Sequence, residues 1–114
     1  MHFDCLPEYQ KDFNKLHKRY RSLESDMADV IKILKVRPDA HPPFSFEIPG
    51  LETKTCVIKV KKIACDSLKG KGVNSGLRLV YAYFPDEQRI TFIELYHKND
   101  KEQEDRRRIT GNFK

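Results

Sequence analysis

Apolar residues recur at Tyr9, Phe13, Leu16 and Tyr20, with Lys11, Lys15, Lys18 and Arg19 between them. Steps of four, three and four place one apolar stripe and one basic face on a helix that starts at Pro7. Pro7 suits the first turn, Glu8 the positive end of the macrodipole, and Arg19 and Arg21 its negative end. A second helix follows at once. Ser22 stands as its N-cap, Glu24 and Asp26 lie in its first turn, and Leu23, Met27, Val30, Ile31 and Leu34 form the stripe that Arg37 and Pro38 end. So short a connection predicts a helical hairpin whose joint apolar face must be laid on another layer.

Four of the six prolines fall between Pro38 and Gly50, which predicts an irregular crossover with a short extended piece at Phe44 to Ile48. After it the period changes from 3.6 to 2. From Cys56 to Cys65, the residues Cys56, Ile58 and Val60 fall on one face of a strand and Val57, Lys59 and Lys61 on the other. Asp66 to Ser75, with Gly70, Gly72 and two lysines, reads as a mobile loop. Leu77 to Phe84 is a second strand, Pro85 to Gln88 a tight turn, and Arg89 to Tyr96 a third strand that pairs with the second as a hairpin. Asp100 to Lys114 is mostly charged and predicts one short helix before Gly111, with 109–114 flexible. The reading is α+β: a helical hairpin on one face of a small twisted antiparallel sheet, the other face left free, then a short terminal helix.

The 114 residues fit one domain, ordered from about 6 to 108. Lys and Arg exceed Asp and Glu by 22 to 17, a net charge of +5 that favours an acidic or polyanionic partner. Cys5, Cys56 and Cys65 lack the close spacing of a structural zinc site and suit a reducing cytoplasm. His2, His17 and His41 show no ligand spacing either, so neither a metal nor another cofactor is expected. No apolar run has the length of a signal peptide or a membrane span, so a soluble, unprocessed chain is expected.

The charge is concentrated locally. Between Lys54 and Arg78 stand Lys54, Lys59, Lys61, Lys62, Lys69, Lys71 and Arg78 against the single acid Asp66. Lys59 and Lys61, two apart on a strand, project from one face roughly 7 Å from each other, and pairing with the next strand brings Arg78 toward them. Such a cluster holds phosphate, or else it is only a solvated face.

The run Lys59-Val60-Lys61, the segment Gly76 to Tyr83, the ending Ile93 to Asp100 and the helical opening with Phe13, Leu16, Tyr20, Ser22 and Leu23 together resemble the RelE/ParE superfamily of bacterial toxins. The likeness is nearest to the RelE and HigB-like branch and spans about Leu6 to Arg107. It implies a RelE-like fold and a ribosome-dependent endoribonuclease, the toxin of a type II toxin-antitoxin system that inhibits translation. The implied reaction is metal-independent: the ribose 2′-hydroxyl attacks the adjacent phosphate. The product ends are a 2′,3′-cyclic phosphate and a free 5′-hydroxyl. The implied partners are a cognate antitoxin, the ribosome and messenger RNA, with no membrane, and the chain would be a monomer or part of a hetero-oligomer with its antitoxin.

Carried over by position, Lys59 and Lys61 match the family's strand lysines, Arg78 its phosphate-gripping arginine, and Lys98 a place where some members have arginine. Some members use a tyrosine of the terminal helix in proton transfer, yet none follows Tyr96 here. His97 is the natural substitute, because imidazole titrates near neutrality. Lys54, Lys62, Lys69 and Lys71 become candidate RNA or ribosome contacts. Tyr96 is a candidate platform for a base, or a core aromatic. Tyr81 and Tyr83 share a face and are expected under the helices. Alternatives from other classes are a ParE-like inhibitor of DNA gyrase and a non-catalytic RNA- or ribosome-binding relative.

Overall fold

The computed structural model describes residues 1–113. In chain order its elements are β1 His2–Cys5, α1 Pro7–Arg19, α2 Leu23–Val36, β2 Ser45–Glu47, β3 Cys56–Val60, β4 Leu77–Phe84, a 3-10 turn Pro85–Glu87, β5 Arg89–His97 and α3 Arg106–Phe113. The class is α+β, with one five-stranded mixed sheet in the order β1-β5-β4-β3-β2.

Period-2 alternation sorts the strands into two faces. Ile58, Val60, Leu79, Tyr81, Ile90, Phe92 and Leu95 point to one side, where they form the main core with Leu16, Leu23, Met27, Val30 and Leu34 of α1 and α2. Tyr81 is fully buried there and its hydroxyl donates to the Pro38 carbonyl at 2.6 Å, while Tyr83 packs at the margin. Val57, Val80, Ala82, Ile93 and Tyr96 point to the other side and form a smaller cluster with Ile109 of α3. The register shifts between Val80 and Tyr81, whose partners are Glu94 and Phe92. The extra residue, Ile93, therefore shares the α3 face with Glu94.

Five features depart from the sequence expectations. First, the sheet is mixed, because β1 pairs parallel to β5 over His2 to Cys5 and Arg89 to Phe92. Four residues, three of them exposed, carry too little pattern to show a strand. Second, the extended run after Cys56 leaves the ladder at Val60, and only a bridge from Ile63 to Asn74 continues it. Third, the 66–75 loop is fastened to the body. Ser67 donates its backbone N–H to the Ser22 hydroxyl at 2.8 Å, and Ser75 Oγ donates to the Ile63 carbonyl at 2.6 Å. Ser22 accordingly makes no capping bond and donates its hydroxyl to Asp26 at 2.7 Å. Fourth, the second sheet face is partly covered. Fifth, α3 runs through Gly111, with Ile109 fully buried and the rings of Phe113 and Phe84 6.0 Å apart. Of the stretch expected to be flexible, residues 109–113 are helical and Ile109 and Phe113 reach an apolar patch that the local sequence does not reveal; Lys114 lies outside the described residues.

One edge is closed by side chains. β1 covers β5 only to Phe92, and beyond it the Leu95 N–H donates to Asp12 at 3.2 Å while Arg108 donates to the Ile93 carbonyl at 2.9 Å. Asp12 and Arg108 also pair with each other at 2.7 Å. Paired backbone groups on that edge cannot recruit another strand.

Candidate nucleic-acid interface

The site is built on the α3 face of β2, β3 and β4, along the stretch that α3 leaves open. Phe46 of β2 stands opposite Lys59 of β3, which stands opposite Val80 of β4. One step along, Arg78 of β4 stands opposite Tyr96 of β5. Residues directly opposite share a face, so Phe46, Lys59, Arg78 and Tyr96 lie on one side of the sheet. Arg78 Nη1 donates to the Lys61 and Leu77 carbonyls, both at 3.2 Å, which holds the guanidinium against the end of β3. A guanidinium has five N–H donors, so most remain available for a ligand.

A cleft of about 370 Å³ opens there, lined by Pro43, Phe46, Lys61, Lys62, Asn74, Gly76, Arg78 and Lys98. Four of these residues are cations and none is a carboxylate. Lys62 Nζ donates to the Asn74 side-chain oxygen at 2.8 Å, and the Lys98 N–H donates to the Gly76 carbonyl at 2.8 Å, so the loop and the end of β5 form the far wall. Gly76 is required for that wall. Its φ is +92°, and a Cβ would lie 2.7 Å from His97 Nε2.

A second cleft adjoins it and shares Phe46 and Lys61. Here the charge is mixed, because Lys59 and Arg106 meet Glu104 and Glu47. Lys59 Nζ bonds Glu104 Oε1 at 2.8 Å, and Arg106 Nε lies 3.4 Å from Glu104 Oε2. Burial tends to raise the Glu104 carboxyl, but the Lys59 hydrogen bond and charge, with Arg106 behind them, outweigh it and hold the group below its usual range. Lys59 is therefore engaged by an internal carboxylate and stands apart from Lys61, Lys62, Arg78 and Lys98.

His97 does not join the site. Its ring is buried, Nδ1 accepts the Asn99 N–H at 3.1 Å, and Nε2 faces the Ser75 carbonyl at 2.9 Å. With Nδ1 taken by the Asn99 N–H and Nε2 by the Ser75 carbonyl, no ring nitrogen is left for a substrate. It orders the turn that carries Lys98. Tyr96 is also buried, packed in the cluster that Ile109 joins, so its face is not offered to a base. Burial, then the charges of Glu104 and Glu94, push its hydroxyl up to about 12 against the opposing pull of Arg78 and Lys101. Tyr96 is a neutral phenol at physiological pH. Lys69 and Lys71 are exposed on the loop, outside the cleft. Lys54 lines a separate hollow with Glu52 and Phe113.

Sequence reasoning missed Phe46, Asn74 and Glu104. Phe46 sits in the short extended piece of the crossover, Asn74 in a segment read as a loop, and Glu104 looks like one more acid in a charged tail. For Glu104 the only sequence signal was an excess of strand cations needing a counter-charge. Among the described residues, no group of three or more His, Cys, Asp or Glu side chains could hold a metal ion. None of the described helices is long and apolar enough to cross a membrane. Comparison with protein-family models, with curated proteins and with solved structures gave no match.

Proposed function

We propose that this chain is a RelE-like toxin that binds RNA in the Lys61–Arg78 cleft and cuts messenger RNA on the ribosome. The observation that supports this reading is the convergence of Lys61, Lys62, Arg78 and Lys98 in one cleft with no carboxylate in its lining. Four cations held side by side repel one another, and a phosphodiester relieves that repulsion. Attack of a ribose 2′-oxygen on the neighbouring phosphate builds negative charge on the phosphorane, where fixed cations lower the barrier most. Arg78, braced by two carbonyls, is the phosphate clamp. Because His97 is internally bonded, proton transfer falls to the cleft lysines or to groups the ribosome supplies. The RelE-like fold is part of the proposal; the two helices, the sheet and the terminal helix are its α+β frame. An antitoxin segment carrying carboxylates would neutralise the same cleft, and the setting would be the cytoplasm.

Expression of the wild-type chain in bacteria should arrest growth and leave messages ending in 2′,3′-cyclic phosphates, and Arg78→Ala should do neither while melting like wild type. A fully toxic Arg78→Ala protein would overturn the reading. One observation favours a second reading, a non-cleaving RNA- or ribosome-binding relative: the side chain best suited to proton transfer, His97, is used structurally. That relative would bind ribosomes and leave programmed message intact, whereas a gyrase inhibitor would trap cleaved DNA in a gyrase assay.

A further inference from the structure

Phe46 occupies an uncommon position. On the edge strand β2 its neighbour Ser45 is fully buried, whereas Phe46 is 36% exposed. Single exposed apolar side chains are ordinary and need no explanation. What distinguishes this one is its surroundings. It lines both clefts, stands opposite Lys59, and has Lys61 Nζ 5.0 Å from its ring centroid. Along the wall of the carboxylate-free cleft follow Lys62, Arg78 and Lys98. An accessible ring rimmed by phosphate-binding cations is what proteins use for single-stranded nucleic acid: the backbone follows the charge and an unpaired base lies on the ring.

We propose that Phe46 is the stacking platform for one unpaired base of a single-stranded RNA whose adjacent phosphates are held by Lys61, Lys62, Arg78 and Lys98. The proposal rests on the RNA-binding reading above and adds to it a basis for selectivity. A base inside a duplex has both faces covered by its neighbours and cannot use the ring, so paired RNA gains only the charge. Stacking is tolerant of base identity, so the platform selects unpaired nucleotides and not a sequence. When the base arrives, Lys61 exchanges its surface contact with the ring for a charge-assisted bond to phosphate, the stronger of the two.

The test compares two fluorescent probes of equal length and phosphate number, a single-stranded oligoribonucleotide and an abasic oligomer, at one low salt concentration. Phe46→Ala should weaken binding of the base-containing probe about 5- to 150-fold, since stacking on an aromatic ring contributes that much per base. The abasic probe should change by less than about 2-fold. Phe46→Tyr should restore the difference, and Phe46→Leu, which keeps apolar bulk without a ring, should behave as Phe46→Ala does. Arg78→Ala should weaken both probes alike. If Phe46→Ala moves both probes equally, or neither, the platform is overturned while the cleft reading stands. If Arg78→Ala moves neither probe, the RNA reading itself fails.

Discussion

The two faces of this sheet are made by alternate residues of the same strands, and they do different work. Toward α1 and α2, Ile58, Val60, Leu79, Tyr81, Ile90, Phe92 and Leu95 form an almost uninterrupted apolar layer. Toward α3, the apolar patch of Val57, Val80, Ala82, Ile93 and Tyr96 covers only part of the surface, and the rest is given to Lys59, Arg78 and the ends of β2 and β3. The first face carries most of the stability, because burial scales with apolar area. The second holds like charges together, which opposes folding. The firmly packed face thus supports the cations on the other.

Four changes would break or sharpen that contrast. The largest effect is expected from Leu79→Ala, which removes a fully buried side chain between the sheet and the helices. It should cost about 2–5 kcal/mol in denaturant unfolding and should lower RNA binding only as far as the protein unfolds. Next, Glu104→Ala leaves Lys59 and Arg106 without their counter-charge. A loss of about 1.5–3 kcal/mol is expected, with tighter polyanion binding at low salt as Lys59 becomes free. The same pair sets a pH dependence. The Glu104 carboxyl is lower in the folded chain than in the unfolded one, so its contribution is fully present above the unfolded value and is lost as pH falls through the folded one. A stability profile over acidic pH should therefore be flatter for Glu104→Ala than for wild type.

Third, Gly76→Ala places a Cβ against the His97 ring at positive φ. It should cost about 1–3 kcal/mol and disturb the wall carrying Lys98, so thermal melts and RNA titrations should both move. The smallest effect is expected from Lys69→Ala with Lys71→Ala, since both side chains are exposed on the loop and outside the cleft. Stability should stay within about 0.5 kcal/mol, and RNA affinity should fall less than for any single cleft cation.

The main face was largely legible in the sequence and the second only in part. α1 and α2 have the 3.6 period and β4 and β5 have long apolar runs, so neighbours a few residues apart already define them. β2 falls within the extended piece expected at Phe44 to Ile48, whereas the four residues of β1 carry too little pattern and form a strand only by pairing with distant β5. The site divided in the same way. Arg78 and Lys61 could be placed together because β4 carries the one and the other directly follows the end of β3. The capture of Lys59 by Glu104, 45 residues away, and the engagement of both His97 nitrogens are tertiary facts with no local pattern. Ile109, alone among charged neighbours, gave no helical stripe, yet it anchors α3.

The salt dependence of binding to a single-stranded oligoribonucleotide tests the central claim most directly. Each phosphate contact on a single strand contributes about 0.7 to the slope of log affinity against log salt. The paired change Lys61→Ala with Arg78→Ala should weaken binding and reduce the slope by about 1.4, with the melting curve little changed. A folded double variant that keeps the wild-type affinity and slope would contradict the account.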